Sequence, residues 1–451
     1  MKTIGFFHYQ VGRTDGVSLE LAKWRQIFEA MGHKIWLFGG DVGASDGILI
    51  PEMFHHTPIA EKLQRATFQS LAEYNGDEAA YRRELFQQTD LLEEKLKAQI
   101  LAKGIDFLVP QNVWSVAANP PVGLALARLM RKMKLPALAH NHDFYWERRD
   151  GVALTCKTAI DLALLNLPPR HPLARHVVIN SLAQKELLNR RGIKATVVPN
   201  VFDFNEAPWQ PDAYNRDLRR RIGLKESDIF ILQATRIVTR KGIELAIDFV
   251  QALNAPKRRA QLKAKGLYNG RPFDDESRIV LVLAGYAQDD DTGYVDRLKQ
   301  KIARAGIDAV FIADRVDGER GTRNGDKIYS LWDTYVHADF VTYPSLWEGW
   351  GNQLLETLRA KLPMLIFEYP VYKADIADKG FRFVSLGNTL GETDDLGLAR
   401  VSPAVIRRVA DEAVALLTDR KLYRETVDHN FGIGQQHYSM EALQRYLTPL
   451  L

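Results

Sequence analysis

The sequence predicts an α/β protein of doubly wound parallel-sheet type, long enough for about two or three domains, and three observations lead there. Its 451 residues exceed what one hydrophobic core normally supports. Residues 3–38 run as apolar stretch, glycine-containing loop, helical-period segment and second apolar stretch, which is the order of a βαβ unit. The strand, loop and helix order returns after Asp228 and after Asp339. A hydrophobic fraction of 46% is ample for packed cores, and no apolar run approaches the roughly 20 residues that span a bilayer. The N-terminus, Met1 to His8, reads as a first strand and not as a signal sequence. One cysteine, Cys156, excludes an intrachain disulfide and a cysteine metal cluster, and suits a reducing compartment. A formal net charge of +4, with acids and bases interleaved, argues against a nucleic-acid partner. The densest basic run, Arg216 to Arg221, reads as a solvated helix face. These features together point to a cytoplasmic protein without a transmembrane segment.

In the first half, residues 3–7 form an apolar strand. Val17, Leu21, Trp24, Ile27, Phe28 and Met31 then follow a helical period, stopped by Gly32, and Lys34 to Phe38 forms the second strand. The charged segment 59–103 is expected to be a helical elaboration covering the sheet. Asp106 to Pro110 is a further strand, running into the loop Gln111-Asn-Val-Trp114. Pro136 to Ala139 leads into His140-Asn-His142-Asp143; if extended geometry persists, both histidines share a face, and a turn would separate them. With no third His or Cys at ligand spacing, a zinc site is not expected. His176 to Asn180 is a strand, followed by a helix ending near Gly192 and a strand from Lys194. The Pro-containing polar stretch Asn205 to Asp212 reads as a linker.

In the second half, Asp228 to Ala234 is a strand, and Ile243, Ile247 and Val250 mark a helix starting near Gly242. Arg278 to Gly285 is another buried strand. Asp289-Asp-Asp291 follows it and is read as acids at a helix start, not as a metal motif. Ala309 to Val316 is a short strand, 317–326 a surface insertion, and Pro363 to Phe367 the strand after the central stretch. The tail from Tyr438 carries a last helical pattern.

That central stretch is Tyr343-Pro-Ser-Leu-Trp-Glu348-Gly-Trp-Gly351-Asn-Gln-Leu-Leu-Glu356. The strand Asp339 to Tyr343 breaks at Pro344, and two glycines precede a helix in which Leu354, Leu355 and Leu358 share a face. Glycine lets backbone approach a ligand closely, and the first-turn amides near Gly351, Asn352 and Gln353 form a site for an anion such as phosphate. Carboxylates repel phosphate, so Glu348 and Glu356 are better matched to hydroxyls. A diphosphate flanked by sugars fits this layout.

The stretch resembles the Glu-x7-Glu signature of retaining glycosyltransferases of the GT-B architecture, family 4 above all. The resemblance implies two Rossmann-like domains facing across a cleft, with residues 1–203 plus a crossover helix at 436–451 binding acceptor and residues 204–435 binding the nucleotide-sugar donor. It implies that Glu348 contacts the transferred sugar, Glu356 the ribose, and Gly349, Gly351 and Asn352 the diphosphate. Thr235-Arg236 to Lys241-Gly242 resembles the family's phosphate clamp, giving Arg236 and Lys241 to the leaving diphosphate. His142-Asp143-Phe144-Tyr145-Trp146 resembles the catalytic-histidine loop, giving His142 a contact near the reacting carbon, with His140 as the other assignment. Asp15-Gly16-Val17 takes the place of the N-domain glycine loop, where Gly16 faces the donor phosphates and Asp15 and Arg13 face a hydroxyl-rich or anionic acceptor. Backbone at Arg315 or Val316 is implied against the base.

The expected activity is retaining transfer of a hexose from a nucleoside-diphosphate sugar, of GDP-mannose or UDP-glucose type, to a small soluble acceptor such as an anionic sugar or glycerate derivative. The alternatives are a phosphorylase or sugar-nucleotide epimerase of the same fold, or a nucleotide-sugar-binding regulator with a dead site. No tightly bound cofactor and no essential metal are expected, and the chain is expected to be a monomer or homodimer.

Overall fold

A computed structural model describes residues 1–13, 15–148, 151–287 and 293–451, so the Asp289–Asp291 loop lies outside the described residues. The chain divides into two compact units. The first holds Met1–Val201 with Met440–Leu451, and the second holds Phe202–Ser439. Against the expected boundaries, residues 202–203 and 436–439 belong to the second unit, where the Phe202 N–H donates to the Tyr438 carbonyl and ties the two crossing segments together.

The first unit is a seven-stranded parallel sheet: β1 (Thr3–Phe7), β2 (Lys34–Gly39), β3 (Ile48–Leu49), β4 (Phe107–Pro110), β5 (Ala137–Asn141), β6 (Ala174–Val178) and β7 (Ala195–Val197). The spatial order is 3-2-1-4-5-6-7. Successive side chains point to opposite faces. Phe6 and Val109 pack with Leu21, Trp24 and Leu443, under the helix Gly16–Ala30 and the C-terminal helix Met440–Leu447. Phe7 and Leu108 pack on the other face with Leu85, Leu96 and Leu126. The expected elaboration is two helices, Pro58–Phe68 and Glu78–Lys103. Asp77 caps the second by accepting from the Ala79 and Ala80 N–H groups, and left-handed Gly104 ends it.

The second unit continues with β8 (Ile229–Gln233), β9 (Ile279–Leu283), β10 (Asp308–Phe311), β11 (Val316–Asp317), β12 (Gly321–Arg323), β13 (Asp326–Ser330), β14 (Phe340–Tyr343), β15 (Met364–Ile366) and β16 (Val384–Ser385). Its main parallel sheet has the order 10-9-8-14-15-16. β8 and β9 are buried along their whole length, as parallel strands covered on both faces must be. The region 317–326, expected as a surface insertion, contributes to a small side sheet ordered 11-13-12, in which β12 and β13 pair antiparallel. The run Arg216 to Arg221 is not wholly solvated either. Arg219 is buried and donates to the backbone carbonyls of His337, Lys225 and Asp228. Among the described residues, no helix is long and apolar enough to cross a membrane.

Candidate active site

In an open parallel sheet, ligands collect beyond the C-terminal strand ends where the strand order reverses. In the second unit that point lies between β8 and β14. The loops leaving these two strands carry the candidate donor-side residues. They are joined by backbone, because the Leu346 N–H donates to the Arg240 carbonyl at 2.8 Å. Gly242, left-handed at φ 58°, faces the Pro344 carbonyl so closely that any Cβ would overlap it. This contact brings Lys241 against Glu348.

Glu348 is 6% exposed. Its Oε1 accepts from Lys241 Nζ, and its Oε2 accepts from Arg240 at 2.9 Å. Arg240, read from sequence as the surface neighbour of Lys241, is therefore part of the cluster, and it also donates to the Trp347 carbonyl. Burial pushes the Glu348 carboxyl up, but the charges of Lys241 and Arg240 outweigh it and hold the group below the ordinary carboxylate value. Burial lowers the Lys241 ammonium, with Glu348 opposing that and the cations Arg240 and Arg236 adding to it. Arg236 is thus electrostatically linked to the same spot. Burial and the charge of Glu348 push the Tyr343 and Tyr369 phenols well up, so both stay neutral.

Gly349 is half-buried in the same loop. Gly351 then opens the helix Asn352–Arg359 at φ 116°, with no side-chain cap. A Cβ on it would stand 2.5 Å from Tyr369 Oη and 2.6 Å from Tyr343 Oη. Glycine is required here by space as well as by conformation. Tyr369 in turn donates to the Trp350 carbonyl at 2.7 Å. Asn352 is the first helical residue, and Glu356, one turn on, accepts from Tyr335 Oη at 2.7 Å. Val316 sits in the side sheet, 9% exposed and in register with Tyr329.

The strand order of the first unit reverses between β1 and β4. His142 follows β5; its backbone N–H donates to Asn112 Oδ1 at 2.7 Å, and its buried Nε2 has no hydrogen-bond partner among the described residues. Burial, with His8 adding, lowers its pKa to about 3, so the ring is neutral. His140 was named from sequence as the other assignment beside His142. It is 1% exposed and stacked on Trp24 at 4.0 Å, with the His142 ring 4.1 Å away, so it supports His142 from beneath. Asp15 was named from sequence for the acceptor side. It is the N-cap of helix Gly16–Ala30, accepting from the Val17 and Ser18 N–H groups, the Ser18 hydroxyl and Gln10. Gly16 is that helix's first residue. Arg13 forms a two-pronged pair with Asp41. His8, whose Nδ1 lies 2.7 Å from the Gln111 carbonyl, and His55, lowered to about 4 chiefly by burial, were not singled out from sequence. The signal for His8 was available, since it directly follows the first strand, where ligand loops start. Among the described residues, no group of three His, Cys, Asp or Glu side chains is placed to hold a metal ion.

Comparison with known proteins adds the following. The family described as "Glycosyl transferases group 1" matches residues 215–385. A mannosylglucosylglycerate synthase of Petrotoga mobilis is 38% identical over 98% of this chain and 99% of its own length. Another of that name, from Thermotoga maritima, is 36% identical over 99% of this chain and 98% of its own. Among solved structures, a sucrose-phosphate synthase from Thermosynechococcus elongatus superposes with a TM-score of 0.59 at 13% identity, over 100% of this chain and 98% of that one. The last likeness carries the fold, two Rossmann-like parallel-sheet units of GT-B type.

Proposed function

We propose, from the premise that the chain is a glycosyltransferase belonging to the family of the two mannosylglucosylglycerate synthases, that it transfers mannose from GDP-mannose to a hydroxyl of glucosylglycerate with retention. The names of those relatives support the mannosyl group and the glycerate-type acceptor. The observation that carries the donor half is the Lys241–Glu348–Arg240 cluster, set at the strand-order reversal and followed by a helix that starts at a sterically obligatory glycine.

In this reading the donor diphosphate lies against Lys241, Arg236 and the first turn of helix Asn352–Arg359. Each cation at ~4 Å contributes about 4 kcal/mol at an effective dielectric near 20, and the same charges stabilise the diphosphate as it leaves. Glu348, kept ionised by its two cations, accepts hydrogen bonds from hydroxyls of the transferred sugar, and Glu356 accepts from the ribose. Neutral His142 offers a hydrogen bond and no competing charge. No side-chain base is assigned; the leaving phosphate takes the proton of the incoming hydroxyl. No metal is required for these steps, because the cations of the chain supply the counter-charge.

The test is a transfer assay with purified protein, GDP-mannose or UDP-glucose as donor, and glucosylglycerate as acceptor. The expected product, formed from GDP-mannose, is a mannosyl glucosylglycerate with the anomeric configuration of the donor. Lys241→Ala should lower turnover by about 10²–10³-fold with its circular dichroism unchanged. An inverted product, or full turnover in the folded variant, overturns the reading.

A further inference from the structure

The helical layer of the first unit holds a cavity of about 650 Å³, within the roughly 300–1,000 Å³ range of small-molecule sites. Its floor is apolar. Leu85, Leu124 and Leu162 are buried there, and Phe86 forms a wall. Five cations surround that floor, Arg82, Arg128, Arg131, Lys157 and Arg170, against two carboxylates, Glu78 and Asp161.

Both carboxylates are already engaged. Glu78 accepts from the Thr158 N–H and hydroxyl at 2.7 Å each, and Asp161 pairs with Lys157. Arg128 pairs with Asp90 and Glu93. Arg131 donates to neutral acceptors, the Asn166 side chain and the Leu165 carbonyl. Among the described residues, no carboxylate pairs with Arg82, Arg131 or Arg170. The guanidinium groups of Arg82 and Arg128 lie 5.6 and 5.3 Å from the Phe86 ring centre, which holds them over the cavity wall. An adjoining cavity of about 350 Å³ shares Arg170 and His171 and adds Lys194, which extends the positive lining.

The position is also distinct. Arg131 lies in the last turn of the helix that leads into β5, and Arg170 and His171 precede β6, so the cavity lies at the N-terminal ends of these strands. His142 and Gln111 leave the C-terminal ends of β5 and β4. Three guanidinium groups without carboxylate partners, around an apolar-floored concavity, are chemistry for an oxyanion: the planar fork matches phosphate and carboxylate oxygens.

We propose that this cavity binds a small phosphorylated or carboxylated metabolite, at a site separate from that of the sugar nucleotide. The full chain would be titrated with inorganic phosphate, glucose 6-phosphate and citrate at low ionic strength, following thermal unfolding of the wild type, of R82A/R170A and of K241A. The expected result is saturable stabilisation by at least one anion in the wild type and in K241A, weakened about 10-fold or more in R82A/R170A and reduced by added salt. Basal transfer in R82A/R170A should be unchanged. No saturable shift with any of the three anions, or an equal shift in R82A/R170A, overturns the proposal. Loss of the shift in K241A would place the anion at the donor diphosphate site and overturns it too, while leaving the role of Lys241 standing.

Discussion

Lys241 and Arg240 share the Glu348 carboxylate, but their burial differs, and with it their contribution. The Lys241 and Glu348 side chains are 10% and 8% exposed, whereas that of Arg240 is 35% exposed. Breaking a buried pair leaves an uncompensated charge and costs about 3–5 kcal/mol, while a substantially exposed pair is worth roughly 0–1 kcal/mol. Glu348→Ala, which strands both cations, should therefore destabilise the second unit several-fold more than Arg240→Ala, with chemical denaturation of the two variants as the measurement. Equal losses would contradict this account of the cluster. At this scale the sequence was partly legible. Lys241 and Glu348 could be singled out, but not that they pair with each other, because they are distant in the chain and meet only through the Gly242–Pro344 approach. Arg240 was read as a surface residue for the same reason. Asp15 was legible as something else: an Asp immediately before a helical period is first of all an N-cap, and its oxygens are taken up that way. The partner of Arg13, Asp41, belongs to the loop after the next strand and leaves no local signal.

The strands were the most legible elements, because β8, β9 and β14 are unbroken apolar runs bounded by polar or glycine positions and are buried throughout. The β12–β13 hairpin was not. β12 is three residues long and exposed, and β13 is exposed at its start and buried over Ile328–Ser330, so no period-2 pattern marks the pair. Among the site elements, the helix Asn352–Arg359 depends most on one residue. Gly351→Ala must both accept a φ of 116° and displace two buried tyrosine hydroxyls. The backbone strain alone costs about 1–3 kcal/mol, and the first turn would be pushed off the line that the diphosphate is proposed to follow. The expected outcome is a lowered unfolding temperature together with nucleotide affinity reduced about 10-fold or more. Wild-type affinity in this variant would show that the first turn does not hold the ligand.

At the level of the whole molecule, two units of the same strand logic each present loops at a reversal of strand order, β1/β4 in one and β8/β14 in the other. That plan was readable from the repeated strand, loop and helix order, and the family relationship over 98% of the chain agrees with it. The boundary residues were read less well, since the crossing segments are fixed by a backbone bond between Phe202 and Tyr438 that no local pattern announces. The proposed function puts the nucleotide on the second unit through Lys241. Calorimetric titration of GDP and UDP into the wild type, K241A and R82A/R170A tests that most directly. The account predicts saturable binding of a nucleoside diphosphate to the wild type and to R82A/R170A, and affinity at least about 10-fold weaker, near 1.4 kcal/mol, in K241A. Unchanged affinity in a folded K241A protein would contradict it.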